Sequence, residues 1–198
     1  MICRTVLLAL HYQNDVVHPE GKIRLGLAEG DGQRVSVLAA AERLFAGARA
    51  ARVPIVHVRI AFRPDHADVL RNGQIWDNVA NTGAVADGTW GAEFYAPLVP
   101  LPGEFVVRHT RINAFFGSPL EETLRLLDAK ALVIAGVATN SVVEHTARDA
   151  ADKGFFVTLA AEACASSRPH LHAAALENAS LIGTVASVDE ILATWRAA

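Results

Sequence analysis

Cysteine is scarce in this chain: Cys3 and Cys164 are the only two in 198 residues. They stand far apart, so they give neither a disulfide framework nor the paired spacing of a zinc site, and no metal is expected. No run reaches the roughly 18 consecutive apolar residues of a membrane span, and no membrane partner is expected. Positive charge is not in surplus either. The net charge of −3 leaves no electrostatic footprint for nucleic acid. The N-terminus, Met1-Ile2-Cys3-Arg4-Thr5-Val6-Leu7-Leu8, lacks the basic region and small-residue cleavage site of a signal peptide. It reads as a first strand, and the expected compartment is the cytoplasm. The turn after that strand is poor in glycine, which excludes a G-x-G-x-x-G dinucleotide site, so no cofactor is implied.

What the chain has is apolar content in an alternating order. It is 52% hydrophobic and 20% charged, the balance of a globular protein, and it reads as one domain over residues 1–198. Strand signals fall at Thr5–Leu10, Pro54–Ile60, Phe105–Arg108, Ala131–Ala135, Phe155–Ala160 and Gly183–Ala186. Helical signals fall between them at Val35–Ala51, Leu120–Leu127, Asn140–Lys153, His170–Ala179 and Val188–Arg196. Ser118-Pro119 and Ser187 read as helix starts and Gly154 as a stop. In the first helix Val35, Leu38, Ala39, Leu44 and Phe45 are assigned to the core side. Strands apolar on both faces, separated by helices, argue for an α/β fold with a doubly wound parallel sheet. The stretch from Ala61 to Gly103 has no sustained period and holds Pro64, Pro97, Pro100 and Pro102. Connections of that length are functional or carry short elements of their own.

One turn stands out. Gly136-Val137-Ala138-Thr139-Asn140-Ser141-Val142-Val143-Glu144-His145-Thr146-Ala147-Arg148 follows an apolar strand and opens a helix. In open α/β sheets ligands bind beyond the carboxyl ends of the strands, where a helix N-terminus offers free N–H groups. Three segments together resemble the isochorismatase-like, or cysteine hydrolase, superfamily. Leu7-Leu8-Ala9-Leu10-His11-Tyr12-Gln13-Asn14-Asp15, with Pro19-Glu20-Gly21 after it, is similar to that family's L-L-V-I-D-M-Q-N-D-F-x-x-P-E-G opening. Val106-Val107-Arg108-His109-Thr110-Arg111-Ile112-Asn113-Ala114-Phe115-Phe116-Gly117-Ser118 resembles V-V-x-K-x-R-x-S-A-F-x-G-T. The turn itself resembles G-V-A-T-x-x-C-V. The resemblance covers nearly the whole chain. It implies a three-layer fold with a six-stranded parallel sheet in the order 3-2-1-4-5-6, assembled as a homodimer or homotetramer.

In that family an Asp, a Lys and a Cys form the catalytic group, with the thiolate attacking an amide or related carbon. By the resemblance, His11 stands at the Asp position, His109 at the Lys position and Val142 at the Cys position. All three depart, so thiolate catalysis is not expected. Two histidines, each with an ordinary pKa near ~6.5, can share one proton and act as a general acid/base pair on water. They are placed at the ends of two strands taken as neighbours. Ser141 and Thr139 are possible hydroxyl nucleophiles, but Ser141, one residue early, should point about 100° around the helix from Val142. The resemblance also puts a non-proline cis peptide at Val137-Ala138, with the Ala138 and Val142 backbone N–H groups lining an oxyanion hole.

Gln13, Trp76, Trp90, Phe115 and Thr139 are candidate pocket residues. The alternative for Gln13 is holding its loop through side chain to backbone bonds, and for the aromatics it is core or interface packing. Arg108 and Arg111 can bind a carboxylate bidentately, although Arg111 is equally suited to a structural ion pair. His57 reads as a satisfied strand residue, His66 as a solvated loop residue, and His145, His170 and His172 as surface or packing residues. Two main functional readings follow, beside non-hydrolytic chemistry such as isomerisation or elimination by the histidine pair. One is a hydrolase of non-thiol mechanism for a small amide, ester, imide or vinyl ether, with His11 and His109 as acid and base. The other is an inactive member of the fold, kept as a binding or assembly module.

Overall fold

In the computed structural model, residues 4–23, 27 and 31–197 are described. Cys3 therefore lies outside the described residues. The strands are β1 (Thr5–Leu10), β2 (Ile55–Ile60), β3 (Phe105–His109), β4 (Ala131–Val137), β5 (Phe156–Ala165) and β6 (Thr184–Ala186). The helices are α1 (Asn14–Val17), α2 (Asp31–Ala50), α3 (Gln74–Thr82), α4 (Leu120–Leu126), α5 (Glu144–Asp152), α6 (Pro169–Ala179) and α7 (Val188–Arg196). All strand pairings are parallel, and the six strands lie in the order β3-β2-β1-β4-β5-β6.

The central strands are buried on both faces because helices cover both. Leu7 and Ala9 of β1 point to one core with α2 and α7, while Val6, Leu8 and Leu10 point to a second core with α4 and α5. This period-two division is what a strand imposes on its side chains. In α2 the buried stripe is Val37, Leu38, Ala41, Leu44, Phe45 and Ala48. Val35, at 64% exposure, and Ala39 face solvent instead. The expected stripe was out of phase at those two positions, because small and β-branched residues mark a helix face poorly. Fully burying side chains the size of Leu44 and Phe45 stabilises the domain by about 1.5–3 kcal/mol each.

Elements also begin and end away from their sequence signals. α2 starts earlier than Val35, and β5 runs five residues past Ala160. A register shift between Ile134 and Gly136 lets β5 continue beside β4, pairing Gly136 with Cys164. The stretch read as unstructured contains α3 and single 3-10 turns at Trp90–Ala92 and Ala96–Leu98. Its apolar side chains form a third cluster, with Phe62, Trp76, Val79 and Val85 buried beyond the ends of β1 and β2. α7 begins with a capping box between Ser187 and Glu190, and Gly154 follows α5 in the left-handed region.

Gly136 sits opposite Leu10, the residue before His11. A Cβ there would lie 2.5 Å from the Leu10 carbonyl oxygen and 2.6 Å from its Cβ, so the two backbones approach this closely only with glycine. Gly136→Ala is expected to destabilise the protein by about 1–3 kcal/mol through overpacking. Urea denaturation reads the result, and an unchanged midpoint would show that the approach is not a constraint.

Candidate active site

The carboxyl ends of β1 and β3 each present a histidine. His11 follows β1 directly, with φ of 58° and its N–H bonded to the Val58 carbonyl at 2.9 Å. A left-handed conformation is uncommon outside glycine, although histidine adopts it more readily than most. His109 is the last residue of β3 and is 1% exposed. The two rings meet through Nε2 and Nε2 at 2.5 Å. β1 and β3 are not neighbours, since β2 lies between them, so this contact bridges over the end of β2. That corrects the expectation of adjacent strands.

The partners assign the protons. His109 Nδ1 lies 3.2 Å from the Asn113 carbonyl oxygen, which can only accept, so the Nδ1 carries hydrogen. In the neutral ring Nε2 is then the acceptor, and His11 must donate to it from its own Nε2. His11 Nδ1 is left as the free lone pair. Asn113 is itself fixed, its amide donating to Asp149 at 2.6 Å and its side-chain oxygen accepting from the Phe115 N–H at 2.9 Å. Burial, then the neighbouring His109, holds His11 well below the ordinary histidine range. Burial pushes His109 down to about 4 against an opposing pull from the Asn113 carbonyl. At neutral pH both rings are uncharged.

Beside this pair, the Val137-Ala138 peptide is cis. The Ala138 carbonyl accepts from the Ser141 N–H at 3.1 Å and the Val143 N–H at 3.3 Å, so the chain makes one wide turn over Thr139–Val143 before α5 begins. Within that turn Ser141 is not helical, with φ of −131° and ψ of −105°. The helical spacing that should separate Ser141 from Val142 therefore does not apply, and both line the same cavity.

The cavity has a volume of about 50 Å³. His11, Ser141 and Val142 line it together with Val137 and Ala138; Ile60, Ile75, Trp76, Val79 and Ile112 form its apolar wall, and Arg111 borders it. Trp76 is thus the one aromatic candidate brought to it. Gln13 is fully buried, donating to the Ile60 and Ala92 carbonyls and accepting from the Ile60 N–H. It holds the loop. Thr139 pairs its hydroxyl with His172 Nδ1 at 2.8 Å, so His172 braces the turn. Phe115 packs against Phe155 in the core below the sheet, and Trp90 is 45% exposed beside His18. None of these four lines the cavity. His66 is not simply solvated, because it bonds the Ala84 carbonyl at 2.9 Å and stacks on Phe62. Arg108 pairs with Asp68, whereas Arg111 has no ion-pair partner among the described residues. Ile75, Val79 and Ile112 went unnoticed in the sequence. The signal was there, since Ile75, Trp76 and Val79 repeat at helical spacing within the stretch read as loop.

The family model of the Isochorismatase domain matches residues 5–190. A ureidoacrylate amidohydrolase from Methylobacterium radiotolerans is 32% identical over 189 residues, 88% of this chain and 72% of that protein. One from Pseudomonas syringae is 30% identical over 173 residues, 80% of this chain and 71% of that protein. Among solved structures, an isochorismatase family protein from Desulfovibrio vulgaris superposes with a TM-score of 0.84 at 27% identity, covering 96% of this chain and 98% of that one. A cysteine hydrolase from Pseudomonas syringae reaches 0.88 at 21% identity, covering 98% and 93%, and is alike in fold.

Unfolded histidines titrate near ~6.5. Below that pH the unfolded chain takes up protons that the buried pair refuses, so stability falls as pH drops from about 6.5 towards 4. Replacing His11 and His109 together by Gln is expected to flatten this part of the stability curve. Long-range 15N–1H spectra at neutral pH should show an Nε2–H ring for His11 and an Nδ1–H ring for His109. A charged ring at pH 7 would contradict the assignment.

Proposed function

The chain belongs to the isochorismatase family, and from that premise we propose that it hydrolyses a small amide, ester, imide or vinyl ether using water and not a thiol. The observation that carries this reading is the hydrogen bond between His11 and His109 at the edge of the cavity. His11 Nδ1 takes a proton from water as the water attacks the carbonyl carbon. The imidazolium that forms keeps its Nε2–H bond to His109, a neutral acceptor. Its Nδ1–H then protonates the leaving nitrogen or oxygen as the tetrahedral intermediate collapses. His109 is a positioning residue, held in one tautomer by the Asn113 carbonyl. In this reading the Ala138 and Val142 N–H groups stabilise the oxyanion, a role that needs backbone only. Val142 shapes the cavity floor.

The names of the relatives, ureidoacrylate amidohydrolases, favour the amide among these classes. A neutral pair also suits a base better than an acid, because its lone pair is available throughout the neutral range.

Ureidoacrylate and a panel of small amides, esters, cyclic imides and vinyl ethers provide the assay. Once a substrate is found, His11→Gln should lower kcat/KM by roughly 10²–10⁴, and His109→Gln should lower kcat more than it raises KM. The rate should fall on the acid side with an apparent pKa below the usual histidine range. Undiminished turnover in the double variant would exclude the pair. Iodoacetamide should leave the rate unchanged in a Cys3→Ser variant, because the remaining Cys164 is buried and burial pushes its thiol up to about 12. Inhibition by alkylation at a cavity residue would overturn the non-thiol mechanism.

A further inference from the structure

The cavity is apolar on most sides and carries one permanent charge among the described residues. Val16, Ile23, Ile60, Ile75, Val79 and Ile112 enclose it, and His11 is uncharged at neutral pH. The charge is Arg111. Its guanidinium carbon lies 4.1 Å over the centre of the Trp76 ring. One of its N–H groups donates to the Leu70 carbonyl at 3.1 Å and another to the Asn72 side-chain oxygen at 2.9 Å. Both acceptors are neutral.

No carboxylate lies within ion-pair distance of Arg111 among the described residues. Its neighbours differ. Arg108 is paired with Asp68, Arg59 with Asp87 and Arg71 with Asp77. A guanidinium has five N–H donors in a fixed plane. Two are spent on orienting it, its flat face is supported by an indole, and the remaining donors have no partner among the described residues. A half-buried cation beside an apolar cavity interacts strongly with any anion that enters, because little solvent screens it. Fixing the plane beforehand also reduces the entropy lost when an anion binds.

We propose that Arg111, held on Trp76, binds the carboxylate of the substrate, so that the substrates are small organic acids whose reacting bond lies a short carbon chain away from that group. The shortness of the chain follows from Arg111 and His11 lining one small cavity. The branched aliphatic walls accept that chain and offer it no hydrogen bonds. Arg111 is then a binding residue that sets specificity, and Trp76 supports it. The inference rests on the cavity being the reaction site proposed above.

Equilibrium binding tests this without requiring turnover. The native protein is titrated with propionate and butyrate and with the matching amides, propionamide and butyramide. Calorimetry reads the affinity, and the methyl resonances of Ile75 and Ile112 report the location. The acids should bind saturably and move both methyls, and the amides should bind at least roughly tenfold more weakly, the loss expected for a charge-assisted hydrogen bond. Arg111→Gln should weaken the acids by a similar factor and leave the amides within about twofold, and Arg111→Lys should recover part of the loss. Equal affinity for acid and amide, no saturable binding of either acid, or undiminished acid binding by a folded Arg111→Gln protein would each overturn the proposal. If the variants do not fold, the acid-to-amide ratio of the native protein decides alone. Acid binding without hydrolysis of any panel compound would leave this inference standing while the hydrolytic reading falls. Hydrolysis with no preference for carboxylates would do the reverse.

Discussion

The buried amide of Gln13 holds the site's architecture together. It takes both backbone groups of Ile60, the last residue of β2, and adds the Ala92 carbonyl from the long connection. Asn14 and Asp15 continue the same work. Asn14 donates to the Trp90 carbonyl, while Asp15 accepts from the Val85 and Lys22 N–H groups. Three consecutive side chains thus supply hydrogen bonds to a stretch with little regular structure. Without them its buried backbone groups would be unsatisfied, at about 1–3 kcal/mol each. The same bonds fix where α3 stands, and α3 carries Ile75, Trp76 and Val79 into the cavity wall. The pocket owes its shape to polar anchors outside it.

With that frame in place, the histidine pair is over-determined from both ends. His11 is held by the Val58 carbonyl through its backbone and His109 by the Asn113 carbonyl through its ring. Asn113 is held in turn by Asp149 of α5. A line of hydrogen bonds therefore runs from the helix through the loop after β3 to the end of β1. It ends on His11, which lines the cavity. Helix, loop and strand must all be in place before the tautomers are defined, so the chemistry depends on the whole layered fold.

Much of this was legible in the sequence, for reasons that differ by residue. Strands such as Ala131–Val137 announce themselves by apolar runs because they are buried on both faces. Their C-terminal ends, where His11 and His109 stand, follow directly. The role of Gln13 was visible as one of two alternatives, since a polar side chain next to a strand end commonly bonds backbone. Distances between segments were not legible. Trp90 and Phe115 lie near Trp76 in type and sequence neighbourhood, yet one faces solvent and the other lies in the opposite core. The direction of Ser141 was misread because a wide turn with a non-helical residue replaces the regular helix start. No local propensity encodes that turn.

The departures that the resemblance implies at positions 11, 109 and 142 are physically related. An Asp and a Lys in a buried site compensate each other, and removing one alone leaves an uncompensated charge at about 3–5 kcal/mol. Two histidines there make a hydrogen bond between neutral rings and no buried charge. Neutral rings supply no field that favours a thiolate. Burial raises a thiol's pKa unless a nearby cation opposes it, and burial pushes the Cys164 thiol up to about 12. Valine at position 142 adds apolar surface to the cavity. With neutral rings at positions 11 and 109, the permanent charge at the cavity among the described residues is that of Arg111.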